Sequence, residues 1–83
     1  MSHTVIMPKL GLTMTSGQIT KWLKKEGDPV IKGEPLVVIE TDKISNEVEC
    51  PADGYLLKIL AEEGEERNIV EPIGVVGEKG EIV

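Results

Sequence analysis

An internal repeat constrains this chain more than any other feature. Setting the second half over the first at an offset of 37 places Gly17 on Gly54, Lys21 on Lys58, Leu23 on Leu60, Glu26 on Glu63 and Gly27 on Gly64. Farther along, Glu34 falls on Glu71, Pro35 on Pro72 and Val38 on Val75. Apolar pairs agree in kind at Ile19/Leu56, Trp22/Ile59, Leu36/Ile73 and Ile39/Val76. Such self-similarity points to a duplicated half-domain. The start of the chain extends the pattern at a second offset. Val5-Ile6-Met7-Pro8 resembles Val48-Glu49-Cys50-Pro51 at 43, so six extra residues lie within Lys9 to Gly17.

Each half reads as strand. The segments Thr4–Met7, Gln18–Lys24, Pro35–Glu40, Asn46–Cys50, Tyr55–Leu60 and Ile73–Val76 are short, rich in Val and Ile, and separated by Gly, Pro or acids. "KKEGDP" and "AEEGEE" read as turns in which Gly27 and Gly64 take positive φ. Helix competes over Gln18–Lys25 and Leu56–Glu63, where alternation is imperfect, but the repeat and the glycine punctuation favour strand. The expectation is an all-β fold: two antiparallel sheets packed face to face about an approximate two-fold axis. The whole chain, residues 1–83, is expected to be one domain.

Composition excludes several classes of partner. Nine basic residues against fifteen acidic ones leave a formal charge of −6, with no basic stripe for a phosphate backbone to follow. No nucleic-acid or membrane partner is expected, and no apolar stretch approaches the roughly 20 residues of a membrane-spanning helix. A single cysteine, Cys50, has no internal disulfide partner, which fits a reducing, soluble compartment. With no Phe, one Trp and one Tyr, the core must come from Val, Ile and Leu.

Symmetry turns the repeat into geometry. The offset of 37 carries Lys43 onto Gly80, which places Lys43 and the end of the chain at opposite poles and the six-residue insertion beside Lys43. Lys43 sits in "ETDKISNE", between the apolar run Leu36–Ile39 and a weaker strand. An exposed lysine, with a reference pKa near 10.4, is protonated at neutral pH and is a poor nucleophile or base. Its acidic neighbours Glu40, Asp42 and Glu47 favour the charged form further. Lys43 is therefore unsuited to catalysis by itself. It suits modification by another enzyme that deprotonates it inside its own site.

The stretches "VIMPKLGLTMTSGQI", "KKEGDPV", "KGEPLVVIETDKI" and "ADGYL" resemble, in order and spacing, the lipoyl domain of 2-oxo acid and acetoin dehydrogenase complexes. That resemblance implies a flattened barrel, or sandwich, of two four-stranded antiparallel sheets, with lipoic acid amide-linked to Lys43. It implies a non-catalytic swinging-arm carrier that forms part of a dihydrolipoamide acyltransferase. The implied partners are a lipoate ligase or lipoyl transferase, a thiamine-dependent 2-oxo acid or acetoin dehydrogenase, the acyltransferase catalytic domain and dihydrolipoamide dehydrogenase. The implied compartment is bacterial or archaeal cytoplasm, or the mitochondrial matrix of a eukaryote.

Asp42 and Ile44 flank the attachment lysine, with Asp42 and Lys43 expected as the centre of a tight type I turn. Many members of the family carry Ala where this chain has Ile44. The inserted loop, especially Leu10, Leu12, Thr13 and Met14, is expected to recognise partners, together with Glu40 and Thr41; the alternative is a loop that folds its apolar side chains over the barrel end. A biotin carrier shares the fold but normally places methionine on both sides of its lysine, where this chain has Asp42 and Ile44. An unmodified adaptor barrel is the remaining alternative. Lys79 is a rival target that lacks a returning strand, and His3 is rejected as ligand or base. Cys50 is expected half-buried, Trp22 packed against the barrel, and Gly27-Asp28 in a turn.

Overall fold

Short apolar runs ending at glycine, proline or acid become eight strands in the computed structural model, which describes residues 2–9, 14–41 and 44–80. They are β1 His3–Ile6, β2 Ser16–Trp22, β3 Pro29–Val30, β4 Pro35–Thr41, β5 Ile44–Glu49, β6 Gly54–Ile59, β7 Glu66–Asn68 and β8 Pro72–Gly77. No helix occurs among the described residues, so Gln18–Lys25 and Leu56–Glu63 resolve in favour of strand. Two of the eight, β3 and β7, were not among the expected segments. Each is only two or three residues long, too short to show alternation, and forms because a longer neighbour offers its edge. His3, expected at a loose terminus, instead opens β1 opposite Val76.

All pairings are antiparallel, and they make two four-stranded sheets in the orders β1-β8-β6-β3 and β5-β4-β2-β7. The repeat maps one order onto the other strand for strand. Each sheet takes two strands from each half of the chain, so neither half can close its own hydrogen bonds. Bulges also recur in register, between Ile19 and Lys21 and between Leu56 and Lys58.

The turns knit the halves together. Gly27 N–H donates to the Leu56 carbonyl at 2.7 Å, and its counterpart Gly64 N–H donates to the Ile19 carbonyl at 2.7 Å. Both glycines have positive φ, 94° and 92°, as the turns require. Asp28 secures the first turn by accepting from Lys25 N–H at 2.9 Å, and Glu65 secures the second by accepting from Glu62 N–H at 3.0 Å. Glu26 reaches across to accept from Ile59 N–H at 2.7 Å, while Glu63 accepts from Trp22 N–H at 3.0 Å. Conserving glutamate at both copies therefore has a structural cause.

Aliphatic side chains fill the space between the sheets: Ile19, Leu36, Val37, Ile39, Leu56, Ile73 and Val76 are wholly buried, with Met7 among them. Trp22 closes one side of this core. Its indole N–H donates to the Ala61 carbonyl at 2.7 Å, and the ring lies over Gly74, where a Cβ would come within 3.0 Å of Cη2. In the other half the corresponding positions are Ile59 and Val37, so volume is conserved while its distribution is inverted. Cys50 is buried at 3% exposure rather than half-buried as expected, because the turn after β5 folds over it and its thiol donates to the Ala52 carbonyl at 2.9 Å. Burial, chiefly, pushes that thiol above its ordinary pKa.

Candidate functional site at the β4–β5 hairpin

β4 is a central, well-buried strand. It lies between β5 and β2, and its Leu36, Val37 and Ile39 are completely buried. Thr41, its last residue, pairs with Ile44, the first residue of β5, so Asp42 and Lys43 are all that connects the two strands. Asp42 and Lys43 themselves lie outside the described residues, as do Leu10, Leu12 and Thr13. Ile44 is 60% exposed, which leaves one side of the connection open to solvent.

Strand direction places this hairpin at an end of the 37 × 20 × 18 Å molecule. β2 and β6 run toward a shared middle, where the amides of Trp22 and Ile59 are each held by a glutamate from the other half. Their starts therefore point to opposite poles. Ser16 and Gly17 begin β2 beside Thr41, and Gly54 begins β6 beside Gly77. The expected separation of the two poles follows from these pairings. Lys79 is exposed just past β8 at the pole opposite the hairpin, with no returning strand among the described residues.

From the insertion, Met14 is 7% exposed and borders an open cleft of about 310 Å³ together with Ser16, Gln18, Glu40, Thr41 and Glu66. Met14, Glu40 and Thr41 are thus brought together, as the symmetry argument requires. Ser45, Glu40, Gln18 and Glu66 form one row across the outer face of the sheet, set by the pairs Glu40↔Ser45, Gln18↔Glu40 and Gln18↔Glu66. Ser16 donates its hydroxyl to Glu66 Oε2 at 2.8 Å. Ser16, Gln18 and Glu66 were not expected at the site. The missed β7 hides Glu66, and only strand register reveals that Gln18 stands beside Glu40.

Chemically, the described residues here offer carboxylates, hydroxyls and an amide, and the Ser16–Glu66 hydroxyl–carboxylate pair is exposed. Among the described residues, no group of three or more His, Cys, Asp or Glu side chains is placed to hold a metal ion. The geometry presents a short connection on a rigid support, with an acidic polar row beside it.

Residues 3–76 match the family described as "Biotin-requiring enzyme", the biotin/lipoyl attachment domains. The chain belongs to this family. A solved structure resembles this biotin/lipoyl domain closely: the lipoyl domain of the 2-oxoglutarate dehydrogenase complex from Azotobacter vinelandii, with a TM-score of 0.74 and 34% identity, covering 93% of this chain and 98% of that one. The flattened two-sheet sandwich expected from the resemblance is therefore the observed fold. Among curated relatives, the acetyltransferase component of the acetoin cleaving system of Bacillus subtilis is 43% identical over 83 residues, all of this chain and 21% of that protein. Acetyltransferase component 2 of the mitochondrial pyruvate dehydrogenase complex of Arabidopsis thaliana is 57% identical over 58 residues, 70% of this chain and 11% of that protein. The chain thus spans about a fifth or less of the length of either relative. No helix among the described residues is long and apolar enough to cross a membrane.

Proposed function

We propose that residues 1–83 form a single carrier domain in which lipoic acid is amide-linked to Lys43, and that the domain is non-catalytic and belongs to a dihydrolipoamide acyltransferase. The observation that carries this reading is the Thr41↔Ile44 pairing, which leaves only Asp42 and Lys43 between two strands of a lipoyl-type fold. The attached dithiolane would supply acyl transfer and two-electron redox chemistry between partner active sites. This chain's own residues supply the rest. Leu36, Val37 and Ile39 bury the strand that leads to Lys43. Amide formation at Lys43 removes a positive charge from a pole whose cleft is lined by Glu40 and Glu66.

Tethering makes each hand-off effectively intramolecular, with a local concentration that reaches the millimolar range for short flexible links. The partners in this reading are a lipoate ligase or lipoyl transferase, a thiamine-dependent 2-oxo acid or acetoin dehydrogenase, the acyltransferase catalytic domain and dihydrolipoamide dehydrogenase. No nucleic acid or membrane takes part. Asp42 and Ile44 flank the modified residue; Leu10, Leu12, Thr13 and Met14, with Glu40 and Thr41, form the recognition surface. The compartment is bacterial or archaeal cytoplasm, or the mitochondrial matrix. Intact mass after co-expression with lipoate and a lipoate ligase tests the reading. A lipoyl increment that disappears in Lys43→Ala is expected; a biotinyl increment, or no increment, refutes it.

A further inference from the structure

Gly17 lies where the end of β4 meets Met7 and, from the inserted loop, Met14. It is buried in β2, with its backbone opposite Arg67 of β7. A Cβ on Gly17 would stand 2.9 Å from Met7 Sδ, 3.2 Å from Met14 Cε and 3.3 Å from Thr41 Cγ2. Met7 precedes the segment that the first half has and the second lacks, and Met14 belongs to it. Thr41 is the final residue of β4. The symmetry-related glycine is small for a different reason, since a Cβ on Gly54 would strike the Gly77 carbonyl oxygen at 2.5 Å. One glycine makes way for backbone, the other for three side chains drawn from the hairpin root, the insertion and the residues before it.

We propose that Gly17 is a positioning residue for recognition at Lys43: it holds Met14 of the insertion in fixed register with the hairpin root, Thr41. This rests on the carrier reading above. A methyl group at residue 17 has to displace its neighbours by a few tenths of an ångström. The nearest atom, Met7 Sδ, is wholly buried, so the displacement is shared with Met14 and Thr41. Enzymes that read both elements at once then meet a mismatched surface, while the arm and its chemistry are untouched.

The test is reductive acylation of the lipoylated domain by its thiamine-dependent dehydrogenase, comparing wild type with Gly17→Ala. The KM for the domain is expected to rise about threefold to tenfold with kcat within about twofold, the pattern of lost uniform binding. Amide chemical-shift changes are expected to stay within residues 14–18, 41 and 44. Should Gly17→Ala not fold, Thr41→Ser removes the packed Cγ2 without adding bulk and is expected to raise the same KM. Unchanged kinetics, a fall in kcat alone, or shifts spread through both sheets overturn the proposal. A wild-type domain that takes no lipoyl group at Lys43 fails the carrier reading instead, whereas a normally loaded wild type with an unaffected variant fails this inference alone.

Discussion

Val70 occupies in the second half the position that Gly33 holds in the first, and both backbones are left-handed, with φ of 75° and 88°. Each N–H donates across the molecule, Val70 to the Met7 carbonyl at 2.8 Å and Gly33 to the Cys50 carbonyl at 2.9 Å. The fold needs the conformation for that bond, and only Gly33 adopts it without strain. A β-branched residue at positive φ costs on the order of 1–3 kcal/mol, and glycine gives back roughly 0.5–1 kcal/mol in unfolded-state entropy. Val70 is 65% exposed, so little packing is lost. Val70→Gly is expected to stabilise the domain by about 1 kcal/mol, seen as a higher urea midpoint at unchanged slope. A lowered midpoint would show that the Val70 side chain contributes more than its exposure suggests.

Glu26 and Glu63 perform one task twice. Each accepts a backbone N–H from the opposite half, Ile59 and Trp22 respectively. Removing either carboxylate by Glu→Ala is expected to cost about 1 kcal/mol, since the bonds are charge-assisted but solvent-exposed. Amide hydrogen exchange should quicken at Ile59 in Glu26→Ala and at Trp22 in Glu63→Ala, each without the other. Equal acceleration at both amides in a single variant would contradict the pairing.

Trp22 and Gly74 share one volume. An alanine at 74 brings its methyl to 3.0 Å from the indole and 3.3 Å from the Lys58 carbonyl oxygen. Overpacking against a rigid ring typically costs 1–3 kcal/mol, so Gly74→Ala should melt several degrees lower. Trp22→Leu in that background should recover part of the loss. A double-mutant cycle showing additivity would rule out the coupling.

Cys50 makes stability fall at high pH. Burial, assisted by Glu34 and Asp53, raises its pKa above the ordinary 9.0. A group whose folded pKa is raised favours the folded state fully below its unfolded pKa, and that contribution disappears as pH climbs through the folded one. The thiol therefore stabilises at pH 7–8 and ceases to do so above about 9. The melting temperature should drop more between pH 8 and pH 10 in the wild type than in Cys50→Ala. Parallel curves would exclude the effect.

Much of this was legible in the residues. The offset of 37 revealed the duplication, the change to 43 located the insertion, and symmetry brought that insertion to the Lys43 pole before any coordinate was known. The long strands were visible because Leu36 to Ile39 is apolar throughout and Leu56 to Leu60 is interrupted only at Lys58. β7 was not visible, since Glu66-Arg67-Asn68 carries no apolar signal, and with it went Glu66 from the site. Cys50 was judged half-buried because nothing local shows that the next turn folds over it.

By itself, the sequence determined that two similar halves would form paired strands, and that one lysine would fall where a strand reverses. Only the tertiary structure decided how the halves interleave, which glutamate holds which amide, and that Gly17 lies beneath Thr41. The reason is distance along the chain. Repeats and apolar runs are properties of neighbouring residues, whereas Glu26 binds an amide 33 positions away and Glu63 one 41 positions away. Contacts of that span exist only once both sheets have assembled.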